Sequence, residues 1–107
     1  MSYNDKKEVA EGKKLDKLEA RKLAIEIVNT GIVRFSAHAK DEMKNDDLNQ
    51  IDITNVLLSA DARILKEPDF EKGTYRYCIE TKRIAAVVAF NDSQSLTVVT
   101  AWRKTRG

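Results

Sequence analysis

Very little in this chain can hold a metal or form a disulfide. Its 107 residues include one cysteine, Cys78, and one histidine, His38, so neither an internal disulfide nor a Cys/His zinc cage can be assembled. No metal and no cofactor are expected. One proline and four glycines exclude a low-complexity or collagen-like chain. No apolar run approaches the roughly 20 residues that span a bilayer. The opening segment MSYNDKKEVAEGKK has neither the apolar stretch nor the cleavage site of a signal peptide. The expectation is a cytoplasmic protein without membrane contact.

Hydrophobic residues make up 42% of the chain and charged residues 34%, enough apolar content for a folded core. The length suits one domain: a flexible tail over residues 1–14, then a single α+β domain over 15–107. The net charge of +2 hides an asymmetry. Of 19 Lys/Arg and 17 Asp/Glu, residues 1–62 hold ten and twelve, which leaves nine and five for residues 63–107. A basic second half fits a phosphate-bearing or acidic partner, and equally an ordinary basic surface.

Ala20, Leu23, Ala24, Ile27 and Val28 recur at helical spacing, so the stretch from Leu15 to Val28 predicts an amphipathic helix ended by Thr30-Gly31. Its stripe is expected to pack on the domain's own sheet; docking of a partner protein, or self-association, is the alternative. Ile32–Phe35 alternates and is rich in β-formers, and Ser36 can cap a second helix reaching about Asn45. Asn49 with Asp52 three residues later marks the start of a third. After Asp61 the period becomes two. Ala62–Glu67, Thr74–Glu80, Arg83–Asn91 and Leu96–Arg103 read as strands of a sequential antiparallel sheet, with Ile84–Phe90 the most buried.

His38 is the natural general base, since its ordinary pKa lies near neutrality and Arg34 and Lys40 stand close in sequence. A surface or capping histidine is the competing reading. Arg76, between Tyr75 and Tyr77, projects from the face opposite the two tyrosines; its planar fork can grip a phosphate or pair with a cross-strand acid. Thr100 shares a face with Leu96, Val98 and Trp102 by alternation, and which face is buried stays ambiguous. Its hydroxyl can bind a phosphate oxygen or satisfy a neighbour. Trp102 is expected in the core. Arg34, Lys40, Arg63, Arg103 and Lys104 are the candidate RNA contacts, and Arg106 adds to the basic chain end.

Phe35-Ser36-Ala37-His38-Ala39, Met43, Asn49–Leu58, Tyr75-Arg76-Tyr77, Val87-Val88 and Val98-Val99-Thr100-Ala101-Trp102 follow one another as in a bacterial family. From Val33 to Lys104 the chain resembles the domain of unknown function 4258, itself similar to the BrnT and RelE toxin group. The resemblance implies a compact RelE/barnase-like α+β fold in which N-terminal helices precede an antiparallel sheet of about four strands. It also implies a metal-independent endoribonuclease, the toxin of a toxin–antitoxin pair, with RNA and a cognate antitoxin as partners. His38, Arg76 and Thr100 occupy the matching positions: a base for the ribose 2′-hydroxyl, a phosphate-charge stabiliser aided by Arg103, and a phosphate-orienting hydroxyl. One departure stands out. The family usually carries arginine just before the methionine and again three residues after it, where this chain has Glu42 and Asp46. That reversal of charge implies a weakened site, another substrate, or a non-catalytic module that binds nucleic acid or protein.

Overall fold

A computed structural model describes residues 13–104. Most of the tail expected over residues 1–14, and Arg106, lie outside the described residues. Asp16 opens helix α1 (Lys17–Thr30) with a capping box: its carboxylate accepts from Glu19 N at 2.8 Å, and Glu19 Oε1 accepts from Asp16 N at 3.1 Å. The expected stripe is buried at Ala20, Leu23, Ala24 and Ile27. It packs within the chain's own core.

Strand β1 (Ile32–Phe35) follows directly, then α2 (Ala37–Asn45) and α3 (Gln50–Leu58). Both helices begin where their caps fall. Ser36 Oγ accepts from Ala39 N at 3.0 Å, and Asn49 with Asp52 forms a second capping box. The remaining elements are β2 (Asp69–Glu71), β3 (Thr74–Glu80), β4 (Ile84–Asp92) and β5 (Ser95–Arg103), in a five-stranded sheet ordered β1-β5-β4-β3-β2.

The sheet differs from the sequence expectation in three ways. It is mixed, because β1 joins as a fifth strand parallel to β5, pairing Ile32 with Ser95 and Phe35 with Val98. The strand expected over Ala62–Glu67 is reduced to one bridge, Arg63 with Glu80, made by reciprocal backbone hydrogen bonds of 2.8 and 2.9 Å. Ala62 and Ile64 are buried, so the alternation is real, yet this extended segment only crosses the end of β3. After Pro68 the chain turns back as β2. The Lys72-Gly73 loop joining β2 to β3 has positive φ at both residues, 51° and 81°, the backbone of a tight primed hairpin turn.

One face of the sheet carries the core. Tyr77, Ile79, Ala86, Val88, Phe90, Leu96, Val98 and Ala101 pack with α1, α2 and α3 residues in a single cluster. The pairing of β4 with β5 slips once in its middle: Val88 opposes Val98 while Val87 opposes Thr100, leaving Val99 as an extra residue. This bulge shifts the alternation. Ala101 takes the core face, and Thr100 and Trp102 turn to the other. No helix among the described residues is long and apolar enough to cross a membrane.

Two long-range ties fix α1 to the sheet. The amide of Leu15, which is buried, donates to the hydroxyl of buried Tyr77 at 2.8 Å. Gly31 packs where a Cβ would collide with the backbone carbonyl of Gln94, the group that also accepts from Ile32 N at 2.9 Å. Gly31→Ala should lower stability by about 1–3 kcal/mol, read as an earlier urea midpoint with unchanged slope. Tyr77→Phe should lower it by about 1–3 kcal/mol because the Leu15 amide is left buried without a partner; a midpoint equal to that of the parent chain would remove this tie from the account.

Candidate functional site

The second sheet face points away from the core cluster, and register assigns its residues to three cross-strand rows. Arg34, Thr97, Ala89, Arg76 and Asp69 form the first. Thr100, Val87 and Cys78 form the second. Trp102, Ala85, Glu80 and Arg63 form the third. None of these residues belongs to the core cluster. Trp102, expected inside, is 37% exposed here, because the Val99 bulge sends it outward with Thr100.

Helix α2 stands beside β5 where β1 ends, and polar groups seat it there. Ser36 N donates to Val98 O at 3.0 Å and Ser36 Oγ to Val99 O at 2.9 Å. At the other end of α2, the amide of Arg103 donates to the Asp46 carboxylate at 2.8 Å, while its guanidinium donates to the carbonyls of Asp46 and Asp47 at 3.1 Å each. These bonds satisfy the strand edge that β1 leaves unpaired. Arg103, expected to contact RNA, thus holds the C-terminus of α2 to the strand.

This seating brings one helix face over the open sheet face. His38 and Glu42 lie at i and i+4, neighbours on α2, with His38 Nε2 3.4 Å from Glu42 Oε1. The same carboxylate oxygen accepts a hydrogen bond from Thr100 Oγ1. His38, Glu42 and Thr100 are therefore linked. Lys40, two residues on, points about 200° round the helix from His38 and is exposed away from this group.

Arg76 lies on the same face as Thr100, two strands across and one residue pair along, about 12 Å between Cα atoms from strand spacing and rise. Its side chain is only 20% exposed and approaches Glu71 at 3.4 Å, yet its Nε is buried with no hydrogen-bond partner. Arg34, in the same row, is exposed and has no hydrogen-bond or ion-pair partner among the described residues. The remaining candidates gather at the far end of the face. Arg63 and Lys104 line a groove of about 550 Å³ with Asp61, Glu80 and Arg83, where the Lys104 ammonium pairs with Glu80 at 2.6 Å.

Sequence reasoning treated Glu42 only as a departure from a pattern and missed its place at the centre of the site. The four-residue spacing from His38 was the available signal. Asp46, the other departure, is a cap for β5 and stands apart from the histidine. Among the described residues there is no group of three or more His, Cys, Asp or Glu side chains able to hold a metal ion.

Cys78 sits in the middle row, and burial, then the nearby Glu80 carboxylate, pushes its thiol up from 9.0 to about 11. The folded chain holds this proton more tightly than the unfolded chain. Its contribution to stability is therefore intact below the ordinary thiol range and fades as pH rises towards 11. At pH 8 the thiolate fraction is about a hundredfold below that of an ordinary thiol. Disulfide-reagent labelling of the native chain should be slower by a similar factor and normal after unfolding in guanidinium; rapid labelling of the folded protein would contradict this environment.

No curated protein and no solved structure matches the chain. A family model described as a domain of unknown function, DUF4258, matches residues 35–103, the stretch from the last residue of β1 to the end of β5 that builds the open face and the helix beside it. The chain belongs to the DUF4258 family.

Proposed function

We propose that the protein is a metal-independent endoribonuclease of RelE/BrnT-like type, the cytoplasmic toxin of a toxin–antitoxin pair. The observation that carries this reading is the set of groups gathered at one sheet face. Beside it on α2 stands a histidine whose Nε2 is 3.4 Å from the Glu42 carboxylate that Thr100 bonds, and on it lie two arginines with unused donors, Arg76 and Arg34. Cleavage of RNA without a metal needs a group to handle the 2′-hydroxyl proton and cations at the charge that grows on the phosphate. His38 supplies the first and Arg76 with Arg34 the second. Trp102 on the same face offers an aromatic surface for a base, and Arg63 extends the cationic track for the backbone.

A second reading is favoured by the Glu42 carboxylate itself, an anion where a phosphate would approach: a non-catalytic module that binds nucleic acid or protein on the same face. The two separate cleanly in cells. On induction in bacteria, the ribonuclease reading expects growth arrest and new RNA ends, both lost with His38→Ala. Normal growth and intact RNA with the parent chain would leave the binding module, whose RNA affinity should fall steeply with salt. Arg76→Ala should slow cleavage by on the order of a hundredfold without unfolding the chain; cleavage at the parent rate would remove Arg76 from the site.

A further inference from the structure

The family resemblance implies a phosphate-orienting role for Thr100, but a threonine hydroxyl has one proton to donate, and here that proton is directed to Glu42 Oε1. In this arrangement Thr100 has nothing left to donate to a phosphate. Glu42 in turn faces His38 Nε2, and a carboxylate there can only accept. Resting on the ribonuclease reading, we infer that Thr100 and Glu42 are positioning residues for His38: Thr100 fixes the Glu42 carboxylate, which accepts the Nε2–H of the neutral imidazole and so leaves the lone pair on Nδ1 as the base.

Local structure supports this chain of contacts at each link. His38 and Glu42 share a helix face through their four-residue spacing, and α2 is held against β5 by Ser36 at one end and Asp46 at the other. Thr100 reaches Glu42 only because the Val99 bulge turns it to the open face. Glu42 is 34% exposed and His38 68%, so the orienting carboxylate is the more enclosed and the reacting ring is open to substrate. An imidazole with one nitrogen fixed by a carboxylate and the other free is the arrangement by which an acid–histidine pair presents a base.

In the step that follows, Nδ1 takes the proton of a ribose 2′-hydroxyl as the O2′–P bond forms and the P–O5′ bond breaks. The departing 5′ oxygen takes a proton from a solvent water, and the imidazolium later returns its own to solvent. The products are a 2′,3′-cyclic phosphate and a free 5′-hydroxyl. Glu42 is not itself a reactant and stays beside the ring that carries the proton.

Two measurements on the full chain test this, with folding of each variant confirmed by circular dichroism. Because His38 is the only histidine, long-range proton–nitrogen NMR at pH 8 reads one imidazole. The Nε2–H tautomer should dominate in the parent chain and lose population in Glu42→Gln. Equal populations in both would overturn the inference whether or not RNA is cleaved. With a short RNA oligonucleotide as substrate, Glu42→Gln should lower kcat by on the order of a hundredfold with KM nearly unchanged. Thr100→Val should lower kcat by a smaller factor, Thr100→Ser should recover it, and the double variant should be no slower than Glu42→Gln alone. A Thr100→Val protein with raised KM and unchanged kcat would return the hydroxyl to the phosphate and overturn its positioning role. A parent chain that shows the Glu42-dependent tautomer yet cleaves no RNA would overturn the ribonuclease reading while upholding the orientation of His38.

Discussion

The hydroxyl of Ser36 joins two structures that would otherwise be independent. It accepts from Ala39 N and donates to Val99 O, so the group that starts α2 also satisfies the edge of β5. With Ser36 N on Val98 O, it ends β1 and sets the helix in the place a longer strand would occupy. Everything on the open face depends on that exchange of strand for helix. Had β1 continued alongside β5, the edge would be closed by backbone and no helix-borne side chain could reach Thr100. Arg103 and Asp46 secure the far end by the same device, a side chain and backbone group closing an unpaired edge.

What was legible in the sequence is what is local. The α1 stripe, the Ser36 cap and the Asn49–Asp52 box each lie within one or two helical turns, where side-chain spacing and caps determine the result. The antiparallel run from β3 to β5 followed from short connections for the same reason. Parallel pairing of β1 with β5 joins the two halves of the chain, and a four-residue segment carries no mark of its distant partner. Alternation over Ala62–Glu67 predicted a strand where only Arg63 pairs, because period two reports side-chain facing and says nothing of which backbone lies alongside. The Lys72-Gly73 turn lacks the Asn-Gly or Asp-Gly signature of its geometry. β2 therefore has no signal of its own between the strands the sequence predicts.

The site shows the same division. His38 in the first turn of α2 and Arg76 opposite the tyrosine face were readable from a cap and from alternation. The face of Thr100 was not, because Val98-Val99 offers two equivalent residues at which the register can slip and only the β4 partner decides between them. The slip also explains Trp102: its parity with Leu96 and Val98 holds up to the bulge and reverses beyond it. Arg103 looked like part of a basic tail because its acceptors, the carbonyls that end α2, are distant in sequence. Such acceptors have no residue signature, since every residue carries one.

The acid in this cationic face need not oppose an anionic substrate, and magnitudes show why. Glu42 is partly exposed, and charges at such positions act through a high effective dielectric, so at 4 Å a unit pair is worth about 1–4 kcal/mol and falls with distance. Salt screens exposed charges beyond roughly 8 Å at physiological ionic strength. Arg34 and Arg76 occupy a row of their own on the sheet and bring donors without partners to that face, while the charge of Glu42 is engaged by its own contacts to Thr100 and His38. Loss of the acid would leave the Thr100 hydroxyl and the His38 imidazole without their shared partner. The geometry therefore makes the carboxylate compatible with phosphate chemistry on this face, and ties its presence to the bulge that exposes Thr100.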